Sequence, residues 1–184
     1  MQNYIVEIRK LIPSNICKKI IKYHDYGFED AGIVTNSEGS VKKNIRNCTT
    51  KSIHPQTFGE TILHNYILSK FFSALKTYSD KHKYSKVEEI SQLDILKYVS
   101  NEYEAGYRYH TDFGPKTQDR AISISVCLNN DFQGGEFMFN LDGKEIQYPQ
   151  NEGDCIMFPS NFMFPHQVNK VTSGTRYALI GWAI

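Results

Sequence analysis

YRYHTDFG, Tyr107–Gly114, reads as the end of a short β-strand that runs into a glycine-proline turn. Side chains alternate along a strand, so His110 and Asp112 leave on one face and a single element delivers two residues of metal-ligand type. Taken alone, a histidine two residues from an aspartate is more often a surface hydrogen bond than a metal site. Its meaning depends on what the rest of the chain brings to it.

Around this stretch, from about residue 92 onward, the chain is a series of short strands. They are LDILKYVS, GYRYHT, RAISISVCLN, GEFMFN, KEIQY, DCIMFP, PHQVNKV and TRYALIGWAI, separated by turn signals at Gly114-Pro115, Gly134-Gly135, Asp142-Gly143, Gly153-Asp154 and Ser173-Gly174. No helix interrupts them. Some eight antiparallel strands, with helices gathered in the first part of the chain, predict a mainly β fold: a double-stranded β-helix, or jelly roll, buttressed by two or three α-helices.

The first half has a different rhythm. After a strand-like YIVEI, Pro13 and Ser14 offer a helix start, with Ile16, Ile20, Ile21 and His24 at helical spacing. A longer helix is expected from Pro55 to Tyr84, with Phe58, Ile62, Tyr66, Leu75 and Tyr78 as its buried stripe and Phe71 and Phe72 beside it. Between the two helices, EDAGIVTNSEGSVKKNIRNCTTKS reads as a long loop with a short hairpin in it, and loops of that length are often lids. At 184 residues the chain is expected to form one domain, 1–184, with helical support over about 1–90 and the jelly roll over about 91–184.

Composition excludes several classes. Lys and Arg number 21 against 20 Asp and Glu, so no global field draws the chain to nucleic acid or to an anionic membrane. The start has no secretory pattern and no apolar run approaches a membrane span, which predicts a cytoplasmic protein. Cys17, Cys48, Cys127 and Cys155 are scattered with no CxxC pair, so thiols are expected, with Cys127 and Cys155 as packing residues.

A third ligand candidate is His166, which opens an apolar strand. Ten residues later Arg176 stands in TRYALIGWAI, a strand otherwise free of charge. An unpaired buried guanidinium is costly, and no carboxylate of the second half is placed to pair with it, so an anionic ligand held in bidentate fashion is expected. Two histidines, one carboxylate and a nearby arginine fit the facial triad of non-haem iron oxygenases.

Over LDILKYVSNEYEAGYRYHTDF, DRAISISVCLNNDFQGGEFMF, NEGDCIMFPS and PHQVNKVTSGTRYALIGW, the chain resembles the 2-oxoglutarate- and Fe(II)-dependent oxygenases, in particular their prolyl 4-hydroxylase-like branch. The resemblance implies that His110, Asp112 and His166 hold Fe(II) and that Arg176 pairs with the distal carboxylate of 2-oxoglutarate. It gives Tyr98 a cosubstrate contact, with Tyr103 as the alternative. Tyr107, Arg120 and Trp182 match positions that touch peptide substrate; for Trp182, core packing is an equal reading. Relatives often carry a tyrosine and a threonine where this chain has Cys127 and Phe137, which predicts a drier cosubstrate pocket and a larger share of binding for Arg176.

The implied reaction uses dioxygen and 2-oxoglutarate, with ascorbate as an optional addition, and yields succinate, carbon dioxide and a hydroxylated peptide or protein. A prolyl residue is the expected target. A lysyl or asparaginyl residue, a small molecule, or a jelly-roll binding module without catalysis stand as alternatives. Nucleic-acid demethylases with the same ligand order usually carry several arginines after the last histidine, whereas Arg176 is the only one here, so no nucleic-acid partner is expected.

Overall fold

The computed structural model describes residues 1–35, 38–83, 85–100 and 105–184, with backbone alone over 33–35 and 38–40. A 3-10 turn, Gln2–Tyr4, precedes β1 (Val6–Ile8) and α1 (Ser14–His24). Five short strands follow: β2 (Glu29–Asp30), β3 (Ile33–Thr35), β4 (Glu38–Ser40), β5 (Arg46–Asn47) and β6 (Thr49–Ser52). After α2 (Phe58–Lys81) come β7 (Ile90–Val99), β8 (Gly106–His110), β9 (Ile122–Cys127), β10 (Phe132–Gly134), β11 (Phe137–Leu141), β12 (Lys144–Tyr148), β13 (Cys155–Pro159), β14 (His166–Val168) and β15 (Val171–Ala183).

The strands form two main antiparallel sheets. The larger runs β1-β13-β9-β15-β7-β6-β2, with β10 joined to the start of β15; the smaller runs β12-β11-β14-β8-β5, and β3-β4 is a separate hairpin. This is the expected jelly roll, with two α-helices behind it. Burial explains the arrangement. All six residues of β9 are buried because Ile122, Ile124 and Val126 pack in the helix-side core while Ser123 and Ser125 line the cavity between the sheets. A second core of Tyr98, Phe137, Phe139, Phe158 and Ala178 fills the rest of the inter-sheet space.

Thr57 caps α2 and Glu60 closes the capping box in return. The buried stripe of α2 is Leu63, Ile67, Phe71, Ala74, Leu75 and Tyr78, which keeps Leu75, Tyr78 and Phe71 of the expected residues and replaces the others. Phe58, Ile62 and Phe72 are exposed. The helix carries apolar residues on two faces, and the face that meets β15 wins because Gly181 lets it approach: a Cβ there would lie 2.8 Å from Phe71 Cε2.

The segment between the helices contains the expected short hairpin, β3-β4, but the rest of it is not simply a loop. Its strands β2 and β6 extend the larger sheet and β5 edges the smaller one, with Ser52 opposite Asp94 and Arg46 opposite Tyr107. First-half strands, β1 included, therefore belong to both walls of the cavity-bearing shell. All four cysteines are free and buried. Among the described residues, no helix is long and apolar enough to cross a membrane.

Candidate metal centre and carboxylate pocket

Strands β8 and β14 are neighbours, and their register sets His110 opposite His166. Asp112 lies just beyond the end of β8, so the turn rather than the strand brings it in; Thr117 Oγ1 donates to its carbonyl at 2.8 Å. His110 Nδ1 lies 2.9 Å from the Arg108 carbonyl and His166 Nδ1 lies 3.1 Å from that of Phe164. A carbonyl only accepts, so each Nδ1 carries the proton and each Nε2 offers a lone pair. The Nε2 atoms of His110 and His166 each sit 3.7 Å from one Asp112 oxygen, and the three candidate ligand atoms lie within 4.8 Å of one another. These separations exceed a hydrogen bond and suit atoms that share one cation.

The surroundings lock this geometry. Tyr107 lies flat on His110, with ring centroids 3.4 Å apart, and Phe137 stacks on His166 at 5.4 Å. Ser123 Oγ donates to Asp112 Oδ2 at 2.5 Å and lies 2.8 Å from Ser160 Oγ. Burial pushes the Asp112 carboxyl up, but His166 and His110, with hydrogen bonds from Ser123 and Trp182, outweigh it and hold the group below the usual carboxylate range. Burial and His166 hold His110 well below the usual imidazole range. The centre thus offers two imidazole Nε2 atoms and one carboxylate, a donor set that suits Fe(II).

Behind the centre, in a cavity of about 550 Å³, lies Arg176, 2% exposed and the largest fully buried side chain. Its terminal amino group donates to Gln150 Oε1 at 3.2 Å, a neutral partner. Its Nε and the Tyr98 hydroxyl are both buried without a hydrogen-bond partner. No carboxylate among the described residues lies within 4.0 Å of Arg176. The guanidinium has room because Gly135, at φ +68°, has no side chain; a Cβ there would come within 2.9 Å of Arg176 Cδ. A buried cation with free donors, beside an unpartnered hydroxyl and open to the same cavity as the two imidazoles and Asp112, fits an anionic oxygen ligand.

His110, Asp112, His166, Arg176, Tyr98, Tyr107, Arg120 and Trp182 all line the one cavity. Trp182 is both buried, at 6% exposure, and a wall residue, with the Arg120 guanidinium 3.5 Å above its ring. Phe137 lines the cavity, while Cys127 turns its thiol to the Asn129 carbonyl at 3.2 Å. Ser125 lines the same wall, so the pocket has more hydroxyl character than Cys127 and Phe137 alone suggested. Tyr103 lies outside the described residues. Sequence reasoning missed Ser123, Gln150 and Asp94 as site residues. A serine every second residue in the apolar ISISV of β9 was the available signal for the first.

Fold and site together define a jelly-roll protein in which two histidines and an aspartate could hold one cation, with a buried arginine that no described carboxylate pairs lining the same cavity. The profile of the 2OG-Fe(II) oxygenase superfamily matches residues 94–184, and through these residues the chain belongs to that superfamily. Its relatives include a PKHD-type hydroxylase of Idiomarina loihiensis, 28% identical over 95 residues that make up 52% of this chain and 43% of that one. Another, from Colwellia psychrerythraea, is 44% identical over 83 residues, 42% of this chain and 36% of its own. The matched stretch is thus less than half the length of either relative. Among solved structures, a prolyl hydroxylase of Trichoplax adhaerens, in complex with a peptide fragment of the hypoxia inducible factor oxygen degradation domain, superposes with a TM-score of 0.82. The match is at 18% identity and covers 99% of this chain and 84% of that one. A Pseudomonas putida prolyl-4-hydroxylase gives 0.75 at 21% identity, covering 98% and 92%. These likenesses concern the fold.

Proposed function

We propose that this chain is an Fe(II)- and 2-oxoglutarate-dependent dioxygenase that hydroxylates a C–H bond of a prolyl residue in a peptide or protein, with release of succinate and carbon dioxide. The observation that carries this reading is the placement of a carboxylate-free, buried Arg176 in the same cavity as His110, Asp112 and His166. In this reading His110 Nε2, His166 Nε2 and a carboxylate oxygen of Asp112 hold Fe(II). The bound metal and 2-oxoglutarate supply the oxidising chemistry, in which dioxygen is divided between succinate and the hydroxylated product.

The protein's own residues bind, orient and exclude. Arg176 holds the distal carboxylate of 2-oxoglutarate through its fork of donors, and the Tyr98 hydroxyl gives a further hydrogen bond to the same cosubstrate. Ser123 fixes which way the Asp112 carboxylate turns, and Tyr107 and Phe137 keep the two imidazole planes from rotating. Phe137, Phe158, Leu96 and Ala178 line the cavity with apolar surface that keeps bulk water away. Arg120 on Trp182, with Tyr107, forms the wall offered to the peptide. The Trichoplax adhaerens prolyl hydroxylase, which holds a peptide fragment, and the Pseudomonas putida prolyl-4-hydroxylase support a peptidyl-proline target, and the reading extends to ascorbate as an accessory ligand and to a cytoplasmic location. The segment over about residues 30–50 is the part of the chain proposed to close over a bound peptide.

The test is succinate release with Fe(II) and 2-oxoglutarate across a set of proline-containing peptides, with mass spectrometry for one added oxygen on proline. Oxygen added to lysine or asparagine would move the target. No 2-oxoglutarate turnover with any peptide would remove the enzyme reading.

A further inference from the structure

Three guanidiniums face the cavity, those of Arg46, Arg120 and Arg176. They differ in what balances them. Arg176 is the proposed cosubstrate anchor. Arg120 lies over Trp182, with Asp112 and Asp94 as its acidic neighbours. Arg46 has neither arrangement. Among the described residues no carboxylate comes within 4.0 Å of it, and Asp30, two residues before the Gly32 that it bonds, pairs with Lys43 at 3.0 Å. One of its amino groups donates to the Gly32 carbonyl at 2.9 Å, its guanidinium lies 4.8 Å from the Tyr107 ring centroid, and its Nε is buried without a partner.

A carbonyl and a ring face solvate a cation but do not neutralise it, and a half-buried charge left so gains from an anion that reaches it. The position is not accidental slack in a side chain. Pairing of β5 with β8 sets Arg46 opposite Tyr107, and Tyr107 lies flat on His110. Arg46 therefore stands one aromatic layer from the metal-ligating end of the cavity. The acidic groups within the cavity are otherwise committed: Asp112 to the centre and to Ser123, Asp94 to Ser52 and Gln92 on the opposite sheet. An extended peptide advances about 3.3–3.6 Å per residue, so the group that meets Arg46 belongs one or two residues from the residue presented to the metal.

Resting on the oxygenase reading above, we infer that Arg46 selects substrate by charge, holding the carboxylate of an aspartate or glutamate one or two residues from the hydroxylated position. The experiment is an anaerobic calorimetric titration of the full chain, with Fe(II) and 2-oxoglutarate present. Two proline peptides are compared, one with Asp at the two residues on each side of proline and one with Asn at all four. The acidic peptide is expected to bind ~10- to 100-fold more tightly, the range of one charge-assisted contact, with the gap shrinking as salt is added. Arg46→Gln closes the gap and Arg46→Lys keeps part of it. Equal affinity for the two peptides, binding of neither, or a gap that persists in a folded Arg46→Gln protein overturns the inference. Admitting air afterwards reads the chemistry separately. Hydroxylation without charge preference removes this inference alone, and charge preference without hydroxylation removes the oxygenase reading alone.

Discussion

Tyr107 and His110 form a parallel stack, with centroids 3.4 Å apart and planes 14° from coplanar. The contact covers one face of an imidazole of the candidate metal centre, while the Arg108 carbonyl holds its Nδ1 edge. Burial also pushes the Tyr107 phenol up to about 12, so it stays neutral throughout the working range. Tyr107→Ala should loosen His110 and weaken divalent metal binding by ~10- to 100-fold, whereas Tyr107→Phe keeps the ring and most of the affinity. Metal titration of the two variants decides it; equal losses would assign the effect to the hydroxyl instead.

Arg176→Ala removes the cation proposed to take the distal carboxylate of 2-oxoglutarate. The 2-oxoglutarate concentration needed for half-maximal succinate release should rise by roughly 100-fold, in line with loss of a bidentate charged pair. A variant with unchanged requirement would take Arg176 out of the cosubstrate site.

Ser123→Ala should lower metal affinity by about tenfold, because Asp112 loses the hydrogen bond at 2.5 Å that fixes its orientation. Ser160→Ala leaves that donor in place, so its effect should be smaller. Paired titrations of the two proteins separate direct support of Asp112 from general disturbance of the wall.

Glu60 supplies a pH signature far from the centre. Hydrogen bonds from Gln56 N and the Tyr26 hydroxyl, then from Thr57, outweigh desolvation and bring its carboxyl down to about 2. A carboxyl depressed on folding contributes stability above its unfolded value, near 4.5, and loses it as pH falls toward 2. Glu60→Gln should therefore lower the melting temperature at pH 7, with the difference narrowing between about pH 4.5 and 2. A pH-independent difference would mean that the charge is not what the cap uses.

Gly181→Ala tests the seat of α2. The added methyl would meet Phe71 Cε2 at 2.8 Å and the Gln92 carbonyl at 3.0 Å, so the helix must shift or the strand must bend. A loss of about 1–3 kcal/mol is expected from chemical denaturation. Gly59→Ala, where nothing lies within 4 Å, is the matched control and should be neutral or mildly stabilising.

The readable part of the site was the part carried by residue type. His110, Asp112 and His166 are of metal-ligand type wherever they stand, and Arg176 in an apolar strand asks for an anion by its charge alone. What could not be read depended on register. Arg46 enters the cavity only because two residues of β5 pair with β8, and so short an edge strand leaves no alternation in sequence. Gln150 reaches Arg176 from a turn 26 residues away, a contact that no spacing rule predicts. The helix stripe went wrong for a related reason: α2 carries Phe58, Ile62 and Phe72 on one side and Leu63, Ile67 and Phe71 on another, and only the approach permitted by Gly181 chooses between them.

Arg176 shares its buried wall with an amide rather than an acid. A dicarboxylate that docks there acts as a late structural component as well as a reagent, because it relieves a cost which the folded polypeptide otherwise bears alone. The free energy by which the native state is stabilised would then grow with the logarithm of that metabolite's free concentration once this exceeds the dissociation constant. A cell short of the diacid would hold not just an idle protein but a more perishable one.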